Sequence, residues 1–158
     1  MVVGVVALLV AGFLTVGSPR QARDQAEDSQ RASRLFDLHN LLSTYASIQG
    51  NLPDSLDDFE DLRGTPNAHL LDSFETEFDP RRDPGTGEEF AYEKVDDDSY
   101  RVCATFKTSS EDSGRGFSPI RGESPDFYNF DAGLNCFDVD ADFDLFAPIP
   151  KPGTELSD

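Results

Sequence analysis

Tryptophan is absent, methionine occurs once, and the 158 residues hold only two cysteines and two histidines. A zinc site has little to draw on, because Cys103 and Cys136 stand apart from each other and from His39 and His69. Lysine is confined to Lys94, Lys107 and Lys151, and with 31 acidic residues against 13 Lys and Arg the net charge is −18. Such a field repels nucleic-acid phosphates and anionic lipid headgroups, which excludes nucleic acid as a partner. Neither histidine has a nucleophile motif or a glycine-rich phosphate loop nearby, and no spacing selects an acid pair for glycoside chemistry. The chain therefore reads as non-enzymatic. Met1 to Gly17, finally, carries no charge at all.

That uncharged run is the first positive signal. At 1.5 Å per residue it covers about 25 Å as a helix, a short match to a hydrocarbon core of about 30 Å. We expect residues 1–17 to form a membrane and assembly helix, with Val2, Val5, Leu8, Leu9 and Phe13 as its contact residues. A cleaved signal peptide fits less well, since no basic segment precedes the run and no small-x-small site closes it. A last helix of a longer membrane protein is the other alternative. Arg20 and Arg23 favour a cytoplasmic following segment by the positive-inside rule, but Asp24, Glu27 and Asp28 dilute that bias. The cysteine pair and the acidic remainder favour a head outside the cytoplasm, periplasmic or at the cell surface.

Charge is unevenly placed. From Ser18 to Gln49 four Arg balance four acids, whereas Gly50 to Asp158 holds 27 acids against 9 basic residues. That excess suits a cation or a basic partner on one reading and a solvated, salt-adapted surface on the other.

Ser18-Pro19 is a helix start, Ser as N-cap and Pro at the first helical position, with a bend at 17–19. Residues 18–34 are polar on all sides and are expected to form an exposed stalk helix. Leu35, Leu38, Leu41, Leu42, Tyr45 and Ile48 then follow the i, i+3, i+4, i+7 spacing of one buried face. Gly50 supplies the left-handed residue that ends the helix. Asp54 or Ser55 caps a short helix with Leu56, Phe59 and Leu62 inward. His69 to Phe78 reads as a connector, and residues 79–87 as a turn cluster.

Beyond it the period changes to two. Phe90 and Tyr92, a turn at 95–98, then Tyr100, Val102, Ala104 and Phe106 predict a hairpin. Thr108 to Ala132 is an irregular loop in which Phe117, Ile120, Phe127, Tyr128 and Phe130 argue for packing. A last strand is predicted from Leu134 to Leu145, with Phe137 and Val139 on one face and Cys136, Asp138, Asp140, Asp142 and Asp144 on the other. If it pairs with the hairpin's return strand, Cys103 and Cys136 share a face and form a disulfide worth roughly 2–4 kcal/mol. Arg101 and Lys107 then meet the Asp row. Two buried free thiols are the alternative. Residues 147–158 read as a mobile Pro-rich tail, which leaves 35–146 as the head.

Gly50, Leu52, Pro53, Ser55 and Leu56, then Asp83, Pro84, Thr86, Gly87, Phe90 and Tyr92, then Tyr100, Val102, Cys103, Ala104 and Phe106 follow an order that resembles the type IV pilins and type II secretion pseudopilins. The resemblance covers roughly residues 1–107. It implies an α+β fold, a long N-terminal helix packed on a small antiparallel sheet. It also implies assembly with like subunits, as a homo-oligomer or with other pilin-like proteins, through the apolar half-helix. The chain departs from that pattern at Val5, where a pilin has Glu, and nothing before Pro19 is acidic. A solitary membrane-anchored protein therefore stands beside a filament subunit.

No cofactor is implied, with calcium as the one candidate. Asp138, Asp140 and Asp142 share a strand face and offer carboxylate oxygens, and some pseudopilins resemble this in carrying an acidic calcium loop near the C-terminus. A straight strand spaces carboxylates poorly for chelation, so an exposed acidic face competes with it. A membrane-tethered ligand-binding or sensor module with an acidic head is the alternative function.

Overall fold

The computed structural model describes residues 18–59, 65, 79–111 and 125–141. Helix α1 runs from Pro19 to Gln49. Ser18 is extended, its Oγ accepts from the Gln21 amide, and Pro19 occupies the first turn, where a missing N–H costs nothing. At the other end Gly50 turns left-handed at φ 80° and donates its N–H to Ala46 O at 2.7 Å. The predicted cap pair and stop signal are thus the observed ones, while Gly17 lies outside the described residues.

After α1 the chain passes buried Leu52 and Pro53 into a 3-10 turn, Leu56–Asp58. Ser55 is its cap, and Asp58 reaches back to the Ser55 amide, so both ends of a capping box are closed. Leu56 and Phe59 point inward as expected; Leu62 is outside the described residues.

Three strands follow: β1 Ala91–Lys94, β2 Ser99–Phe106 and β3 Gly133–Asp140. They form one antiparallel sheet in the order β1-β2-β3. Register is specified by period two. Tyr100, Val102, Ala104 and Phe106 of β2 are all buried, and a slip of one residue would turn them out and bring Arg101 and Thr105 in. Leu35, Leu38, Leu42 and Ala46 of α1 join them in one core with Leu52, Leu56, Phe90 and Val139. Each such leucine contributes about 1.5–3 kcal/mol on burial. Tyr45 and Ile48 are half-buried against that core. The loop aromatics pack as anticipated: Phe127 is sealed, and Phe130 stacks on Phe106 with ring centres 3.9 Å apart.

Three expectations are corrected. The segment expected as an exposed stalk from Arg20 to Ser33 buries one face from Asp28 onward, where Asp28, Arg31 and Ala32 are 0–2% exposed while Ser29, Gln30 and Ser33 stay exposed. The reason is helical spacing: Asp28 and Arg31 precede Leu35 by seven and four residues and so lie on its face. Lys107 does not meet the Asp row. Phe106 pairs with Gly133, so the chain has left β3 by Lys107, and its side chain turns to Glu27 and Asp24 on α1. The last strand, expected from Leu134 to Leu145, runs from Gly133 to Asp140, with Ala141 already outside it; Asp142, Asp144 and Leu145 are outside the described residues.

Among the described residues no helix is long and apolar enough to cross a membrane. Val2, Val5, Leu8, Leu9 and Phe13 lie outside them, as do His69, Phe117, Ile120 and the tail.

Candidate functional site: helix clamp and outer sheet face

Two polar constellations flank the core. One lies where α1 meets the end of β2 and the turn before β1. Asp28, fully buried, accepts from the Lys107 amide at 3.0 Å, the Thr108 amide and hydroxyl each at 2.8 Å, and Arg31 Nη1 at 2.6 Å. Its oxygens therefore stand in for a missing strand partner at the exit of β2. Arg31 spreads over three carboxylates. It binds Asp83 through both Nε and Nη2, reaches Glu27 at 3.2 Å and lies 5.8 Å from the Phe106 ring centre. Asp83 in turn accepts from the amides of Gly85 at 2.7 Å and Thr86 at 3.1 Å. The Asp-Pro-x-Thr-Gly turn is thus organised around one carboxylate that also holds the helix. Asp83 itself therefore occupies the amides of this turn.

Electrostatics follow from this geometry. Burial alone would raise Asp83, but the Arg31 hydrogen bond and the two turn amides outweigh it and hold the carboxyl below its ordinary range. Burial likewise opposes the charge on Arg31, and Asp83 more than restores it. Glu27 is lowered chiefly by its hydrogen bond to Lys107. The cluster joins residues 52 to 80 apart in the chain.

His39 belongs to the core as a packing residue. Its Nδ1 lies 2.9 Å from Tyr100 Oη, with Phe36 and Phe127 around the ring. Burial pushes the Tyr100 phenol up.

The second constellation is the outer face of the sheet. Cys103 and Cys136 sit directly opposite each other on β2 and β3 and are disulfide-bonded, with Cα atoms 4.1 Å apart. The register then places Glu93, Arg101 and Asp138 in the neighbouring row. Arg101 donates to Asp138 at 2.7 Å and comes within 4.0 Å of Glu93. This is the juxtaposition of Arg101 with the Asp row expected from the sequence. It also occupies Asp138. Asp140 is exposed opposite Ser99, Asp142 lies outside the described residues, and among the described residues no three acidic, His or Cys side chains are placed to hold a metal ion.

At the hairpin end an open polar hollow of about 570 Å³ is lined by Asp54, Tyr92, Glu93, Lys94 and the 95–97 turn. Lys94 is spent on its walls, donating to Leu52 O at 3.0 Å and Asp54 at 3.2 Å, and Tyr92 donates to Pro53 O at 2.7 Å. These contacts fasten the loop after α1 to β1. Sequence reading missed the clamp because charged residues default to the surface; the available signal was that Asp28 and Arg31 continue the Leu35 stripe.

No protein-family model matches the chain, and comparison with curated proteins and with solved structures finds no match.

Proposed function

We propose that this chain is a non-enzymatic, membrane-anchored structural or assembly subunit of the pilin-like kind, its head outside the cytoplasm. One observation carries the reading: a 31-residue helix, entered from an uncharged run in the sequence, packs its far half across a three-stranded antiparallel sheet closed by a cross-strand disulfide. Support also comes from four positions of the resemblance that have a structural task. Gly50 caps α1, Ser55 closes a capping box, Asp83 anchors the helix, and Cys103 forms the bridge. Residues 1–17 would supply the anchor and the contact with like subunits, through Val2, Val5, Leu8, Leu9 and Phe13.

The test is fractionation and electron microscopy of the full chain against a chain lacking residues 1–17. The full chain is expected in the membrane fraction or in polymers, and the shortened chain as a soluble monomer with the same far-UV spectrum. Polymers that persist without residues 1–17, or a full chain that never leaves the soluble fraction, would count against the proposal.

A further inference from the structure

We infer that the Cys103–Cys136 disulfide is a thiol-exchange site, open to small thiols in the folded protein and selective for cationic over anionic ones. The inference does not rest on the pilin-like reading; it comes from the placement of the bridge. Both cysteines project from the outer face of the sheet, Cys136 exposed and Cys103 half-buried, while the residues that hold the sheet to α1 point the other way. Tyr100, Val102, Ala104, Phe106 and Val139 pack into the core on the opposite face of the sheet. A thiol can therefore reach the bond without any core residue moving.

The chemistry balances simply. A reductant thiolate attacks the Sγ of Cys136, the more exposed of the two residues, and its electron pair forms a new S–S bond. The Cys103–Cys136 bond breaks, Cys103 leaves as a thiolate and takes a proton from solvent. A monothiol first gives a mixed disulfide on Cys136, which a second molecule can resolve to a free Cys136 thiol and the reagent's own disulfide. A dithiol goes on to release Cys136 as a thiol and is itself oxidised.

Selectivity comes from the next row. Glu93, Arg101 and Asp138 lie two residues along the strands on the same face, about 7 Å away, with Asp140 beyond. Arg101 is engaged by Asp138 and Glu93, so the row presents a net negative field within a Debye length of the sulfurs. An incoming thiolate is repelled unless it carries its own cation. Unit charges at this spacing in water translate into roughly a five- to tenfold spread in rate between a cationic and an anionic reagent at low salt.

The experiment uses the intact oxidised protein with cysteamine, 2-mercaptoethanol and 2-mercaptoethanesulfonate under native conditions. The ammonium group cancels the thiolate charge in the first, and the sulfonate adds to it in the last. Adducts are trapped by alkylation and located by peptide mass. Each rate is divided by that of the same reagent on a neutral small disulfide at equal thiolate concentration. The expected result is a rate linear in thiol, an adduct on Cys136, and the order cysteamine, mercaptoethanol, sulfonate, collapsing to within about twofold at 1 M NaCl. Glu93→Gln with Asp138→Asn should narrow the spread. Reduction at a rate independent of thiol and equal to that of global amide exchange would overturn the inference. So would equal rates for all three reagents, or a spread that the double variant leaves unchanged.

Discussion

Asp28 is the residue on which the position of the helix against the head depends most. Its carboxylate is fully buried and accepts from two backbone amides, a hydroxyl and a guanidinium, so truncation leaves several groups unsatisfied at once. Asp28→Ala is expected to destabilise by about 3–5 kcal/mol, the scale of breaking a buried charge pair. Asp24→Ala, which removes only an exposed contact to Lys107, should change stability by less than about 1 kcal/mol. Urea unfolding of the two variants decides it, and equal midpoints would mean that the Asp28 contacts are redundant. The same cluster sets the acid response. Asp83 and Asp79 are held below their ordinary value of 3.8, each because hydrogen bonds from Arg31 or Arg81 outweigh the effect of burial, and Glu27 is held below 4.5. A lowered folded-state pKa contributes stability that is present above the unfolded value and lost as pH falls through the folded one. The head should accordingly hold its urea midpoint from pH 7 to about 5 and lose it progressively below about 4. Asp37, raised by burial against the pull of Arg34, works in the opposite sense. Asp83→Asn should flatten the acid limb while lowering the neutral midpoint.

Among the elements, the sheet is held from both sides: by the α1 stripe within and by one covalent bond without. The bridge closes a segment with a sequence separation of 33, for which the chain-entropy relation gives about 3–4 kcal/mol. Cys103→Ser with Cys136→Ser should lose about that much while keeping the far-UV spectrum, since the inward face is untouched. A larger loss, with the near-UV signal of the tyrosines gone, would mean that the bridge also sets the register. Gly85 gives a second test. A Cβ there would run into Glu27 Oε1 and the Arg31 guanidinium, so Gly85→Ala should cost about 1 kcal/mol by displacing Glu27, the more exposed and flexible of the two. These elements were unevenly legible. The helix ends at Ser18-Pro19 and Gly50, the capped turn at Ser55, the hairpin and the Cys103–Cys136 pairing could all be read, because each follows from a local rule or from period-two arithmetic. The clamp could not. Helical spacing places Asp28 and Arg31 on the Leu35 stripe, but the sequence does not show the Asp83 and Thr108 partners, 52 and 80 residues away, that join their mutual pair in making buried charge tolerable. Lys107 was misplaced for a related reason: its face was extrapolated along a strand that ends at Phe106.

Over the whole molecule the governing quantity is the net charge of −18, concentrated after Gly50. The ion pairs divide into two kinds. Those of Arg31 with Asp28 and Asp83 are buried and scarcely screened, whereas Arg101–Asp138 and Lys107–Glu27 are solvent-facing and weakened by salt. Against these pairs stands the net excess of 18 negative charges, whose mutual repulsion favours expansion. Raising NaCl from about 10 mM to 1 M shortens the Debye length from about 30 Å to 3 Å, which removes the long-range repulsion and leaves the buried pairs nearly intact. The melting temperature should therefore rise with NaCl. A fall would mean that the exposed pairs outweigh the repulsion. Calcium provides the sharper comparison. With Asp138 engaged by Arg101, CaCl2 and MgCl2 at matched ionic strength should raise the melting temperature equally, as screening ions do. An excess for calcium alone, removed by Asp140→Ala and Asp142→Ala, would show that the acidic row chelates after all and that Arg101 yields Asp138 to the ion.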